Sequence, residues 1–360
     1  MALSELLSAE RDRNEAASVW MHRGMDLAES GSPGVLDEAI RCFDEAIALR
    51  RTLPLAGNPL YRYGLSAGWI NRGDAWARRE DTDALDALDE AIRSYGEALA
   101  LLETLPLREN PLYPRRLAIA RLNQGVALQR RQGAGDLAGA AAAFRHALDV
   151  LGKFPGFAPD HPQLHAAAWS NLAGALAAAG GTPLDDARAA ARHALDLARP
   201  SEADDATSAE TALAARQTLC RLAVRDLAGN RPLSDALAAE ATDAVEEALD
   251  AIGRWRARGV ARLAARGPEI VRLGCRIYGS AQPRFLAEFL VDHLGLGNAE
   301  AGPLDPETFA AAQAGIWSAL DRLQAHGFHS PILLEEVRGL RAAQERLGRR
   351  APAGGAGPGA

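Results

Sequence analysis

Residues 36–76 recur almost intact as residues 88–128, at an offset of 52 with no gap and with 22 of 41 positions identical. Both copies carry LDEAIR, an aromatic, EA, TLPL, two variable residues, NPLY and N-x-G. A segment that repeats itself this way buries its apolar face against its own copies, so the chain is an array. Arrays offer extended surfaces more readily than enclosed catalytic pockets.

Within each copy the periodicity is helical. Ala39, Phe43 and Ala46 share one face at 3.6-residue spacing in a helix predicted over about 36–51, which stops at Leu53-Pro54. Asn58-Pro59 opens the next helix, with Asn as cap and Pro at the first position, where no N–H is needed. That helix carries Trp69, Asn71, Gly73 and Trp76. The same order returns as Ala91, Tyr95, Ala98, Asn110-Pro111, Arg121, Asn123, Gly125 and Leu128. A third pass gives Ala140, Phe144, Ala147, Trp169, Asn171, Ala173 and Leu176. A fourth gives Ala187, Ala191 and Ala194, then a weaker helix around Thr218; Trp20, His22, Gly24 and Leu27 supply the first helix of the first repeat.

The pattern W-x-N-x-G-x-x-[WYL] on a first helix, then A-x-x-x-[FY]-x-x-A and a proline on a second, resembles the tetratricopeptide repeat (TPR). The resemblance covers about residues 17–230, as four repeats and a degenerate fifth. It implies a right-handed helical solenoid whose first helices line a concave groove for peptides or proteins. The period near 50 is longer than the usual 34, and Ala191 stands where the fourth repeat should have an aromatic. From about Pro232 the period is lost, although helices continue, one of them kinked at Pro283. The expected organisation is a lead-in over 1–16, the array over 17–230, a helical cap over 231–349 and a disordered tail over 350–360.

Composition narrows the function classes. Alanine supplies much of the 48% hydrophobic content, aromatics make up only 5%, and no alternating β-branched run exists, so the class is all-α. A net charge of −7 gives no dominant basic face for nucleic acid. Among 40 basic residues only Lys153 is a lysine, which leaves little room for lysine chemistry. Cys42, Cys220 and Cys275 are widely separated and lack metal spacing, as in small buried thiols of a reducing compartment. The first residues have no signal-peptide core, and no run of 18 apolar residues exists. A cytoplasmic protein with no membrane partner is expected.

Asn71, Asn123 and Asn171 occupy one register of three successive first helices, with His22 and Thr218 at the flanking positions. Asn is a poor residue for a helix interior because its amide competes for the backbone. In TPR proteins that bind extended peptides, such as the kinesin light chains, asparagines here form a ladder that donates to and accepts from the ligand backbone. The alternative is hydrogen bonding between neighbouring helices, and both readings stay open.

One residue before and three after this register lie Met21 and Met25, Ile70 and Asp74, Leu122 and Val126, and Ser170 and Gly174. Met21, Met25, Ile70, Leu122 and Val126 are expected to give the groove its apolar contacts. Arg78 and Arg130, a turn further on, face either ligand carboxylates or plain solvent. Trp20, Trp69 and Trp169 are expected in the core. His161 with His165, and His326 with His329, lack a third metal ligand. Glu335-Glu336 and the Asp-rich stretch 81–89 read as solvated helix faces. No catalytic motif and no cofactor signature is present.

These residues point to an adaptor or scaffold that captures an extended segment of a protein or peptide partner. The alternative is a regulator whose C-terminal helices gate the groove, with Phe289 and Trp317 as internal ligands. An enzyme built around Arg276, Tyr278 and Glu288 has no positive motif behind it.

Overall fold

The computed structural model describes residues 3–30, 33–79, 84–155, 161–179, 184–229, 232–296, 298, 301–325 and 331–352. His326, His329 and the tail from 353 lie outside them. Every regular element among these residues is helical, so the chain is all-α. They form two compact units, Met1–Ala190 and Ala191–Ala360. The division falls forty residues before the end expected for the array, and the helix read as a degenerate fifth repeat packs in the second unit.

The first unit contains α1 (Leu3–Ser30), α2 (Pro33–Arg51), α3 (Pro59–Ala77), α4 (Ala84–Leu102), α5 (Leu112–Arg131), α6 (Asp136–Lys153) and α7 (His161–Ala179); α8 (Leu184–Ala198) runs across the division. From α1 to α7 each helix packs on its neighbour in sequence, and α1, α3, α5 and α7 also touch in turn. The first helices therefore form one continuous row, the arrangement of a solenoid. The expected lead-in over 1–16 is not separate: α1 passes through it unbroken.

The repeated sequence motifs have repeated structural roles. Asn58 Oδ1 accepts from Leu60 N at 2.9 Å, and Asn110 Oδ1 from Leu112 N at 3.0 Å, so both NPL segments start a helix. Arg79 pairs with Asp37 at 2.9 Å and Arg131 with Asp89 at 2.6 Å, the same contact one repeat later. The glycine of N-x-G is a socket. A Cβ at Gly24 would lie 2.6 Å from the Phe43 ring and one at Gly73 2.7 Å from Tyr95, while Gly125 is closed just as tightly by Phe144. All three rings are buried on the second helix of their pair.

The second unit holds α9 (Ala206–Ala228), α10 (Asp235–Ala257), α11 (Ala261–Ala264), α12 (Gly267–Ala281), α13 (Leu286–Leu294), α14 (Pro306–Ala325) and α15 (Pro331–Gly348). The first of the helices expected after Pro232, which the sequence would carry over about 234–263, is divided at Gly259, whose φ of 77° leaves the right-handed helical region. That expected over 268–294 is broken at Pro283, not merely kinked, because a short 3₁₀ turn replaces the continuous backbone ladder there. Arg350, placed in the disordered tail, is instead held by the carbonyls of Gly302 and Leu294.

The repeat interval also survives here in space after fading from the sequence. Arg192 pairs with Glu240, Arg199 with Glu247 and Arg221 with Glu269, each 48 residues apart. Gly274 is a further socket, closed by Phe289. The interval thus persists in these ion pairs past Pro232, although the pairing of helices changes: α12 packs chiefly on α14 rather than on the helix that follows it.

All three cysteines are free and buried. Burial pushes the Cys220 and Cys275 thiols up to about 12 and also raises Cys42. With so little thiolate, none is expected to react quickly with an aromatic disulfide reagent at pH 8, and all three should react after denaturation. A fast-reacting thiol in the folded protein would show that its helix packs differently.

Candidate functional site

The row of first helices in the first unit carries two adjoining recesses. The one between α1 and α3, about 180 Å³, is lined by Met25, Glu29, Phe43, Asn71, Asp74 and Arg78 among others. The second, about 320 Å³ between α3 and α5, is lined by Asp74, Arg78, Tyr95, Asn123, Val126 and Arg130. Asp74 and Arg78 border both, so the recesses form one groove with a carboxylate at its middle.

The expected site residues sort by helical phase. Met25, Val126, Arg78 and Arg130 do line the groove, with Met25 46% exposed. Met21, Ile70 and Leu122 do not: each is 6% exposed and belongs to the core. The residue before the Asn register turns about 100° away from it, toward the neighbouring first helix, and Met21 Sδ lies 3.7 Å from where a Gly68 Cβ would stand. Ser170 is buried for the same reason. His22 is exposed but lines neither recess.

The asparagines are not equivalent. Asn123 Nδ2 donates to Asp74 Oδ1 at 2.9 Å, which is the bond between neighbouring helices that the sequence left open. Asn71 lies in the first recess and Asn171 is half-buried on α7; neither side chain has a hydrogen-bond partner among the described residues. Thr218 departs from the row, as its hydroxyl donates back to its own helix at Ala214 O.

The groove arginines have a structural partner that sequence could not show. Arg78 Nη1 donates to Ala28 O at 3.1 Å, and Arg130 Nη1 donates to Ala77 O. Each thereby satisfies a free carbonyl in the last turn of the preceding first helix. Their remaining N–H groups stay on an exposed surface.

Asp74 is the least ordinary member. Its register holds Met25, Val126 and Gly174 in the other repeats. Oδ1 also accepts from Tyr95 Oη at 2.7 Å, and Tyr95 replaces the phenylalanines Phe43 and Phe144 of the flanking pairs. Burial raises the Asp74 carboxyl above the usual range, against the lowering effects of Tyr95, Arg78 and Asn123. In the sequence this position is named only as a neighbour of the Asn71 register, with no role assigned to it.

Elsewhere the outcome is plainer. Trp20, Trp69 and Trp169 are half-buried, and Trp20 and Trp69 pack on the edge of the core with one side left open. Arginines cover two of them, with Arg23 5.7 Å from the Trp20 ring and Arg51 4.9 Å from that of Trp69. His161 Nε2 is hydrogen-bonded to Leu151 O, and no group of three potential metal ligands exists among the described residues. Asp89 and Glu336 form ion pairs with Arg131 and Arg284 instead of facing solvent alone.

In the second unit Phe289 is 4% exposed and stacks on Tyr278, so it is no free ligand for a groove. Trp317 is 53% exposed. Tyr278 is buried and donates to Glu246 at 2.6 Å, whereas Arg276 and Glu288 are exposed; the three build no common site. No helix among the described residues is long and apolar enough to cross a membrane.

No protein-family model matches the chain, and no curated protein does. Among solved structures it is similar to the S. pombe nuclear import adaptor Nro1, at 16% identity over 91% of this chain and 99% of that one, with a TM-score of 0.45.

Proposed function

We propose that the chain is a non-catalytic adaptor of the TPR type that holds an extended segment of a partner protein along α1, α3, α5 and α7. The observation that carries this reading is the continuous groove, with Asn71 unpartnered beside exposed Met25 and half-buried Val126. An amide offers a peptide backbone a donor and an acceptor together. Two free asparagines contribute only about 1–3 kcal/mol, against about 8 for micromolar binding. The recesses and their side-chain specificity supply the rest. The gating alternative loses one of its two internal ligands with the burial of Phe289.

The test separates the asparagines. Asn71→Ala and Asn171→Ala remove no internal bond, and Ala is the better helix former, so both should melt at or above the parent. Asn123→Ala removes a bond to Asp74 and should cost about 1–3 kcal/mol. A partner captured by the parent and mapped to a linear segment should be lost by the Asn71→Ala, Asn171→Ala double variant. Undiminished affinity for that segment would end the peptide-groove reading.

A further inference from the structure

We infer that the recess between α1 and α3 is a pocket for a basic side chain, lysine or arginine, of the bound segment. This rests on the peptide-groove reading and adds the chemistry of one subsite.

Three observations converge on it. First, Asp74 makes no ion pair among the described residues, whereas Asp37, Glu38 and Asp44 on α2 and Asp89 and Glu90 on α4 each meet an arginine. Both bonds it accepts, from Tyr95 and Asn123, go to Oδ1. Oδ2 has neither a partner nor a place among the buried unsatisfied atoms, so it opens into the groove. Arg78 stands close but is turned to Ala28 O.

Second, the internal arrangement does not require a carboxylate. The flanking pairs put Met25 with Phe43 and Val126 with Phe144 at the same two positions. An apolar residue with phenylalanine is therefore a workable packing solution, and it avoids burying a charge without a counter-ion. The middle repeat alone combines an acid with a tyrosine that orients it, and Asn123 fixes the same oxygen from the next helix. A carboxylate clamped through one oxygen with the other open is a pre-organised acceptor.

Third, the walls suit the stem of a basic residue. Met25 and the Phe43 edge are apolar, and Glu29 adds a second, exposed carboxylate at the rim. Lysine and arginine lay their methylenes on apolar surface and present the charge at the end. Asp74 and Arg78 border both recesses, but the adjoining one adds the cation Arg130 where this one adds the carboxylate Glu29. The basic residue thus belongs on the α1 side.

The experiment is a fluorescein-labelled positional-scanning library of capped decapeptides, read by polarisation against the parent, Asp74→Asn, Glu29→Gln and Asn71→Ala. The amide in Asp74→Asn keeps an acceptor for Tyr95 and Asn123, and its melting curve verifies the fold. The parent is expected to select lysine or arginine at one position at least tenfold over methionine. Asp74→Asn should lose that preference, and Glu29→Gln should weaken it severalfold. A parent that binds peptides through Asn71 but shows no basic preference overturns the pocket and leaves the groove reading intact. A preference that survives in Asp74→Asn also overturns it. A parent that binds none of the library removes both.

Discussion

Phe144→Ala is expected to destabilise the first unit by about 3–5 kcal/mol, the range for emptying a site that encloses a large aromatic. Phe144 is fully buried and its ring fills the socket at Gly125, so no side chain on α5 can close the space. The reciprocal change tests the same contact from the other side. Gly125→Ala would gain about 1 kcal/mol as an ordinary helix substitution. Here the added methyl meets the ring, and overpacking of this kind costs about 1–3 kcal/mol. Urea unfolding followed by circular dichroism should therefore place both variants below the parent. A Gly125→Ala variant as stable as the parent would mean that α5 and α6 are further apart than described.

Arg216→Ala should be comparably severe in the second unit. Arg216 is almost completely buried on α9, with bonds to both carboxylate oxygens of Glu202 at 2.8 and 3.1 Å and to Glu247 at 2.9 Å. Removing the guanidinium leaves the Glu202 carboxylate with only the longer ion pair to Arg254 at 3.6 Å, in a site closed by Trp255, whose indole N–H donates to the Glu202 carbonyl. Breaking a buried pair from one side costs about 3–5 kcal/mol. Replacing both partners, as Arg216→Met with Glu202→Leu, should recover part of the loss, because the under-compensated carboxylate is then gone.

Acid should narrow the gap between the parent and Arg216→Ala. Burial raises the Glu247 carboxyl, but Arg216 and Arg199 outweigh it and hold the group below its ordinary 4.5. A carboxyl lowered on folding stabilises the native state above its unfolded value, and that contribution disappears as pH falls from 4.5 through the folded value. Thermal melts at pH 7 and pH 3 would show a difference that shrinks; a constant difference would detach Glu247 from Arg216.

What was legible in the sequence is what the fold repeats. Asn58 and Asn110 each accept from the N–H two residues on, although only Asn58 is the cap itself and Pro111 stands there in α5; Gly73 and Gly125 receive an aromatic, and Asp37 and Asp89 meet Arg79 and Arg131, each at the same offset. Helical phase was less secure. Met21, Ile70 and Leu122 sit next to the Asn register, but a single step around a helix carries them to the core. The Arg78 and Arg130 contacts were invisible because their acceptors are backbone carbonyls, which leave no trace in residue identity. In the second unit Gly274 and Phe289 are 15 residues apart, against 19 for Gly24 and Phe43, so the socket escaped a search for constant spacing.

The two arginine bonds between helix ends bear on what the groove can measure. Arg78 ties the end of α3 to α1, and Arg130 ties the end of α5 to α3. Consecutive first helices are thereby fixed at one edge, and their separation cannot stretch to suit an arriving chain without breaking a charge-assisted bond. On the peptide-groove reading proposed above, the groove would act as a ruler. A segment with the correct groups at the wrong pitch would meet one subsite and miss the next, so inserting a single glycine into a bound segment should be as damaging as removing an anchoring side chain.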